Sequence, residues 1–150
     1  MIATLVAVLG TLAGTIVAGL MQHLTSTRTA EKAATERRRE ALATAVPSLL
    51  AALVRHREQQ YLKIVARREE RADTSESRQA RYEARSAVTS AMDTLHMATQ
   101  DSGLLALAQE AVDAAMFLGD APEGELDAAG LRARKAHTAL RTAGARHLYA

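Results

Sequence analysis

The sequence predicts an all-α protein: a single N-terminal transmembrane helix, then a long kinked amphipathic helix, then an antiparallel helical bundle or coiled coil. Three observations predict this class. Residues 1–27 contain no Asp, Glu, Lys or Arg. The rest of the chain is rich in Ala, Arg and Glu, which are good helix formers. Its apolar residues recur every three or four positions, the period of an amphipathic helix. We therefore divide the chain into a transmembrane helix (1–24), a charged juxtamembrane stalk helix (25–46) and a cytoplasmic helical bundle (47–150).

The N-terminal segment is long enough to cross a bilayer. A helix rises about 1.5 Å per residue and the hydrocarbon core is about 30 Å thick, so about twenty apolar residues suffice. A cleaved secretory signal is one alternative, with Val17, Ala18 and Gly19 as the processing site, but no basic residue precedes the apolar stretch. A buried core helix is another, but such helices are shorter and usually carry a polar stripe. An uncleaved anchor fits the sequence best.

Basic residues follow the anchor and set its expected orientation. Positive charge is retained on the cytoplasmic side of a span, and the N-terminal side of this one has no Lys or Arg. We expect a single-pass protein of the cell membrane, with its N-terminus outside and its C-terminal body in the cytoplasm. The residues that set this topology at the membrane surface are Arg28, Lys32, Arg37, Arg38 and Arg39.

Small residues lie on one face of the predicted span and bulky residues lie opposite. Lipid solvates leucine as well as protein does, so spanning helices associate through close backbone approach, which faces such as Gly10-xxx-Gly14 permit. The pattern predicts that the span packs against a copy of itself or another spanning helix. The packing face consists of Ala3, Ala7, Gly10, Gly14 and Ala18.

A long amphipathic stretch runs from about residue 25 to residue 71. Its wide apolar face can pack against the chain's own helices and pair with other subunits. Pro47 lies inside the stretch, and because proline lacks an N–H and clashes with the previous turn, we expect a kink or a new helix there. The pairing face consists of Leu42, Val46, Leu49, Leu50, Leu53, Tyr61, Ile64 and Val65.

Turn formers and caps divide the remainder into three further helices, at about 75–99, 104–118 and 127–147. Gly119 is placed to end the second of them. The inward residues of the first two are expected to be Ala80, Ala84, Val88, Ala91, Met92, Leu95, Leu104, Leu105, Ala108, Ala111, Val112, Ala115 and Met116.

The last helix is expected to dock through three leucines, Leu131, Leu140 and Leu148. Its basic residues would face the run 101–127, which holds seven acids and no Lys or Arg. Exposed ion pairs contribute only about 0 to 1 kcal/mol each, so burial of the leucines must supply most of the docking.

No motif in the sequence indicates catalysis. There is no Cys, and the five histidines show no two-ligand spacing on one helix face. Asp93 with His96 is the nearest approach to a metal-binding unit, but di-metal bundle sites need that unit twice with additional Glu residues. Phosphate-binding glycine loops and nucleophile elbows are missing from the sequence. We expect a protein that is not an enzyme, with no catalytic residue, metal or cofactor.

Nucleic-acid binding is the main alternative function. The segment from Arg28 to Arg71 holds eleven bases against six acids, and phosphate contacts require little more than clustered Lys and Arg. Interleaved acids and the scarcity of aromatic residues favour a solvated stalk instead. An exported soluble helical module remains the second alternative, and it would follow from cleavage near Leu20.

The layout of the sequence resembles that of one known family. An uncleaved span with Gly-x-x-x-Gly, an Arg-rich junction and an Ala/Arg helical body containing Arg85-Ser86-Ala87-Val88-Thr89 resembles the small KilB-like membrane proteins of actinobacterial conjugative plasmids and their chromosomal relatives. The resemblance implies a membrane-associated factor in intramycelial plasmid spread and no catalytic residues. An unrelated membrane-anchored coiled coil stays open as an alternative.

Together these patterns predict a membrane-anchored, oligomerising helical scaffold or conduit component. Its expected partners are the lipid bilayer, further copies of the chain, and a membrane or DNA-translocation protein. Direct binding of nucleic acid is left open.

Overall fold

The computed structural model describes the backbone of residues 2–149 and the side chains of residues 29–148. Helix α1 spans Ile2–Arg68, α2 spans Ser75–Ala98, α3 spans Ser102–Phe117 and α4 spans Leu126–Tyr149. A short 3₁₀ turn, Glu123–Glu125, precedes α4. Residues 2–149 contain no β-strand. The predicted all-α class and the three helices after the long first one are confirmed.

The chain forms two compact units, Met1–Arg37 and Arg38–Ala150. The predicted boundaries after residues 24 and 46 stay predictions. The transmembrane helix predicted for residues 1–24 and its small-residue packing face lie outside the described side chains. Within the part of the chain whose side chains the structure describes, no helix is both long enough and apolar enough to cross a membrane.

Helix α1 continues through Pro47 without interruption, so the expectation that a new helix begins there is wrong. Proline removes the bond to the carbonyl four residues earlier, which belongs to Ala43. Both Ala43 and Pro47 are exposed, so water can hydrate that carbonyl. The missing bond therefore leaves no buried polar group unsatisfied. The kink itself stays a prediction.

The end of α1 is closed by a Schellman motif. Arg71 donates its backbone N–H to the Ala66 carbonyl at 2.9 Å, and Glu70 donates to the Arg67 carbonyl at 3.2 Å. Glu70 occupies the left-handed position of this motif, with φ 52°. Glycine usually fills that position because it has no β-carbon.

The next two helices begin at side-chain caps. Thr74 Oγ1 accepts the backbone N–H of Ser77 at 3.1 Å at the start of α2. Asp101 Oδ1 accepts the backbone N–H of Leu104 at 2.7 Å at the start of α3. These bonds satisfy donors that a helix N-terminus otherwise leaves unpaired, and they account for the chain reversals predicted there.

Apolar side chains from all four helices meet in one core. The inward faces predicted for α2 and α3 are confirmed: nine of the thirteen residues are buried, and Ala80, Leu105, Val112 and Met116 are half-buried. The buried core residues are Ala45, Val46, Leu49 and Leu53 from α1; Val88, Ala91, Met92 and Leu95 from α2; Leu104, Ala108, Ala111, Ala114 and Ala115 from α3; and Ala133, Ala136, Leu140 and Ala143 from α4.

Helix α4 docks through alanine rather than through the three leucines expected. Leu140 is fully buried, but Leu131 is 47% exposed. The buried stripe of α4 follows three- and four-residue spacing through Ala129, Ala133, Ala136, Leu140 and Ala143, and Leu131 falls off this stripe. Small side chains on both α3 and α4 allow these two helices to approach closely.

The acidic loop between α3 and α4 pairs with α1, instead of with the bases of α4. Lys63 Nζ lies 3.1 Å from Asp120 Oδ1, and Arg67 Nη2 lies 3.2 Å from Glu123 Oε2. Arg68 donates to the same Glu123 carboxylate at 2.6 Å, and this bond lowers the pKa of Glu123. All five side chains are substantially exposed, so their contribution to stability is modest.

Two histidines of the bundle have a ring nitrogen without a partner. His56 Nδ1 and His137 Nδ1 are buried and accept or donate no hydrogen bond among the described residues. Burial lowers the pKa of His56, and the nearby charge of Arg85 lowers it further. Burial also lowers the pKa of His137, with smaller effects of Arg57 and Arg141. Both rings are therefore held neutral near pH 7.

The contact between α4 and α1 predicts a specific steric effect at Gly144. A β-carbon there would stand 2.5 Å from Val46 Cγ1. Overpacking of a core costs about 1–3 kcal/mol, whereas replacing glycine by alanine in a helix gains about 1 kcal/mol. We expect Gly144→Ala to lower the free energy of unfolding by up to about 2 kcal/mol, measured by chemical denaturation.

Gly130→Ala in the same helix is the matched control. Its new β-carbon would meet only Arg134 Nη1, at 3.8 Å. This variant should gain up to about 1 kcal/mol. Adding Val46→Ala to Gly144→Ala should destabilise by less than the sum of the single changes. Strictly additive effects would show that the two residues do not touch in solution.

The buried histidines predict that stability falls between pH 7.5 and pH 5.5. An unfolded histidine has a pKa of about 6.5, above the lowered folded values, so the unfolded chain binds more protons in this window. Stability that is present above the unfolded pKa is therefore lost as pH falls towards the folded pKa. Denaturation midpoints across this range should show a smaller slope in His56→Gln and the smallest in the His56→Gln, His137→Gln double variant. Equal slopes in all three proteins would contradict the assignment.

Candidate functional site

The predicted pairing face of α1 is used largely inside the bundle. Val46, Leu49, Leu53 and Ile64 are buried, and Leu42, Leu50 and Val65 are half-buried. Tyr61 is 61% exposed. Sequence reasoning placed these eight residues on one face without separating the inward ones from those at its edge.

A second apolar surface on α1 stays in solvent. Val54, Tyr61 and Leu62 are 49%, 61% and 51% exposed. Their spacing of seven and eight residues places them on one side of the helix, and we refer to these three residues as the α1 outer face. Of this face, the sequence analysis identified only Tyr61. A wider helical stripe, extended to include Val54 and Leu62, would have identified the other two.

The bases predicted to lie at the membrane surface differ in their contacts. Lys32, Arg37, Arg38 and Arg39 are exposed, and the Arg28 side chain lies outside the described residues. Arg37 donates to the Ala33 carbonyl at 3.1 Å within its own helix. Arg39 Nε donates to the Leu148 carbonyl at 2.8 Å, and its Nη2 donates to the same oxygen. Arg39 thus satisfies a carbonyl at the C-terminal end of α4.

A basic cavity of about 280 Å³ lies beyond the apolar core, between α1, α2 and the end of α3. The cavity continues the interface between α1 and α2 with polar residues instead of apolar ones. It is lined by His56, Gln60, Lys63, Arg78, Arg81, Tyr82, Arg85, Met116 and Asp120.

Only part of the positive charge of this cavity is neutralised. Arg81 donates to Asp73 Oδ2 at 2.5 Å, which lowers the pKa of Asp73, and Lys63 pairs with Asp120. Arg78 donates to the Asp73 backbone carbonyl at 2.8 Å. Among the described side chains, neither Arg78 nor Arg85 forms an ion pair.

His56 and Gln60 form the buried wall of the cavity. His56 is 1% exposed and Gln60 is 9% exposed. Gln60 Nε2 lies 3.3 Å from His56 Nε2. An amide nitrogen can only donate, so His56 Nε2 accepts and the ring proton lies on Nδ1, where it has no acceptor.

Gly119 makes room for the Gln60 amide. A β-carbon at position 119 would stand 1.8 Å from Gln60 Oε1. Gly119 was expected to end α3, and α3 does end two residues before it, at Phe117, but no described glycine has a positive φ. Its function in the structure is close approach instead.

Sequence reasoning missed this cavity. It counted His56 only among five histidines without two-ligand spacing, and it assigned no chemical role to Gln60 or Arg85. A usable signal was present, because His56, Gln60 and Lys63 on α1 and Arg78, Arg81 and Arg85 on α2 repeat every three or four residues. Among the described residues, no group of three or more His, Asp or Glu side chains is arranged to hold a metal ion.

Comparison with known proteins places this bundle among plasmid transfer proteins. The family model for the KilB plasmid transfer protein matches residues 43–148. Protein KilB of Streptomyces lividans is 53% identical over 57 residues, which are 38% of this chain and 36% of that relative. The chain thus aligns with about a third of the length of this curated relative. No solved structure matches the chain.

The family match covers the whole four-helix core, from the residues before Ala45 on α1 to Leu148 on α4. It extends over more than half of the chain and includes both the α1 outer face and the basic cavity. The resemblance noted from the sequence is confirmed, and the chain belongs to the KilB plasmid transfer family.

Proposed function

We propose that this protein is a membrane-anchored helical scaffold, or conduit component, that assembles with further copies of itself during intramycelial spread of a conjugative plasmid. Membership of a plasmid transfer family supports the process. The role is structural and not enzymatic. The exposed apolar side chains of α1 and the charge pattern of the N-terminal residues support the mode of action.

The α1 outer face is the observation that carries the assembly step. Three large apolar side chains on one side of a helix are about half or more exposed in the single chain. Burying such side chains against a partner helix gains about 25 cal/mol per Å² of apolar surface. A copy of the same helix supplies a complementary surface, as in coiled coils, where apolar positions meet every three or four residues.

The charge pattern of the N-terminal residues supports the anchor. Residues 1–27 carry no Asp, Glu, Lys or Arg, and bases follow at once. Exposed Lys32, Arg37 and Arg38 are free to meet anionic headgroups on the cytoplasmic side. With this orientation the N-terminus lies outside and the bundle lies in the cytoplasm, where it can contact a membrane or DNA-translocation protein.

Charge placed on the α1 outer face should weaken assembly. We expect Val54→Glu and Leu62→Glu to shift full-length protein, purified from membranes in mild detergent, from multimer towards monomer in native mass spectrometry. Met97→Glu is the matched control, because Met97 is 90% exposed on α2 and lies outside this face. A multimer that survives both outer-face variants would show that α1 does not mediate assembly.

Bulk placed on the small face of the predicted span should weaken the same multimer independently. Gly10→Leu and Gly14→Leu should reduce association while leaving insertion intact, because they prevent close backbone approach. Leu12→Phe adds volume on the opposite face of the helical wheel and should leave the multimer unchanged. If both glycine variants assemble like the parent, the span acts only as an anchor.

Intact mass of the same preparation tests the remaining alternatives. A retained N-terminus in a defined multimer is the expected result. A chain clipped near Leu20 would identify an exported soluble module. An intact monomer that binds duplex DNA with a steep dependence on salt would favour the nucleic-acid alternative.

A further inference from the structure

The basic cavity interrupts an otherwise apolar helix interface. Towards the Pro47 end, α1 and α2 meet through Leu49, Leu53, Val88, Met92 and Leu95, all of them buried. About one, two and three turns beyond Leu53 on α1, the corresponding positions hold His56, Gln60 and Lys63. Polar groups at such positions cost stability unless they are satisfied. Their placement therefore needs an explanation other than packing.

Several basic side chains line the same cavity. Arg78, Arg81 and Arg85 follow one face of α2 at spacings of three and four residues. Lys63 approaches from α1, and the only acid in the lining is Asp120, which pairs with that lysine. Asp73 holds Arg81 from outside the lining. Among the described side chains, neither Arg78 nor Arg85 forms an ion pair, and only Arg78 lies close enough to a carboxylate, that of Asp73, to lower its pKa.

The buried wall of the cavity is polar. Among the described residues, His56 Nδ1 has no hydrogen-bond partner, and the neighbouring Gln60 is fixed by contact with Gly119 and by the bond to His56 Nε2. This observation is independent of the surface arginines. A ligand in the cavity that accepts hydrogen bonds would satisfy Arg78 and Arg85 beside this wall.

We propose that this cavity binds the phosphate group of a small soluble phosphate ester. Guanidinium groups recognise phosphate oxygens through paired N–H bonds, which assigns Arg78 and Arg85 as the principal donors. Arg81 and Lys63 also line the cavity, each of them paired with a carboxylate. The volume of 280 Å³ is near the lower end for small-molecule sites and accommodates one phosphate ester, not a duplex.

This inference does not depend on membrane assembly, because every residue involved lies in the bundle of a single chain. Its failure would leave the scaffold proposal unchanged, and loss of the multimer would leave the cavity intact. The two proposals therefore fail separately.

Titration of the full-length protein in detergent tests the site. The probes are inorganic phosphate, pyrophosphate and AMP, added at constant ionic strength with chloride as the compensating anion and followed by calorimetry. We expect saturable binding of these probes. Arg85→Gln and Arg78→Gln should each weaken it about tenfold, the effect of losing one charge-assisted hydrogen bond.

Arg55→Gln is the matched control. Arg55 is exposed, precedes His56 directly and does not line the cavity, so this variant removes the same charge without removing a ligand donor. Its affinity should stay within about twofold of the parent, since an exposed charge at that distance is largely screened. The ¹⁵N resonance of His56 Nδ1 should move on addition of phosphate in the parent and in Arg55→Gln.

Three results would overturn the proposal. One is the absence of saturable binding for all three probes. Another is equal weakening by Arg55→Gln and Arg85→Gln, which would indicate a response to net charge. The third is binding of duplex DNA, sensitive to Arg85→Gln, in a protein that does not bind the small probes.

Discussion

Close packing of small side chains is the constraint on which the bundle depends. Most of the buried core residues of α3 and α4 are alanines, and Gly144 presents no side chain where Val46 of α1 enters the gap. Each alanine buries little area, so cohesion comes from short distances between helices and from a few leucines that are fully buried. Such an interface has little room for adjustment. The register of α4 against α1 is therefore narrowly set.

The same register decides where the polar residues of the bundle meet. Once Leu49 and Leu53 of α1 lie in the core, the helical period brings His56 and Gln60 to the same side of the helix. The protein thus places uncompensated polar and basic groups at the end of a well-packed core, where rigid neighbours hold them. Preorganised polar groups of this kind are typical of binding sites and uncommon in purely structural interfaces.

Much of the fold was accessible from the sequence because helical periodicity reports burial directly. Val88 and Leu95, seven residues apart, mark the inward face of α2, and Leu104 marks that of α3. The docking face of α4 was predicted wrongly because its leucines, rather than its alanines, were expected to be the buried residues. Close helix contact favours the smaller residue, and periodicity alone does not say how near two helices come.

The candidate site was less accessible for a different reason. A polar residue on an inward stripe reads as a break in the pattern, and only the tertiary arrangement shows that Gln60 lies against Gly119 or that Arg85 shares a cavity with His56. Charges close in space but far apart in sequence leave no local signal. The loop acids that pair with Lys63 and Arg67 were assigned to the wrong helix for the same reason.

The bond from Arg39 to the Leu148 carbonyl joins residues 109 positions apart. Together with the contact of Val46 and Gly144, this bond shows that the packing contacts of α1 include residues of α4, the last helix in the chain. During synthesis, α1 leaves the ribosome well before α4 and exposes its apolar face in the interval. The inward face of α1 is therefore covered only after α4 has been synthesised.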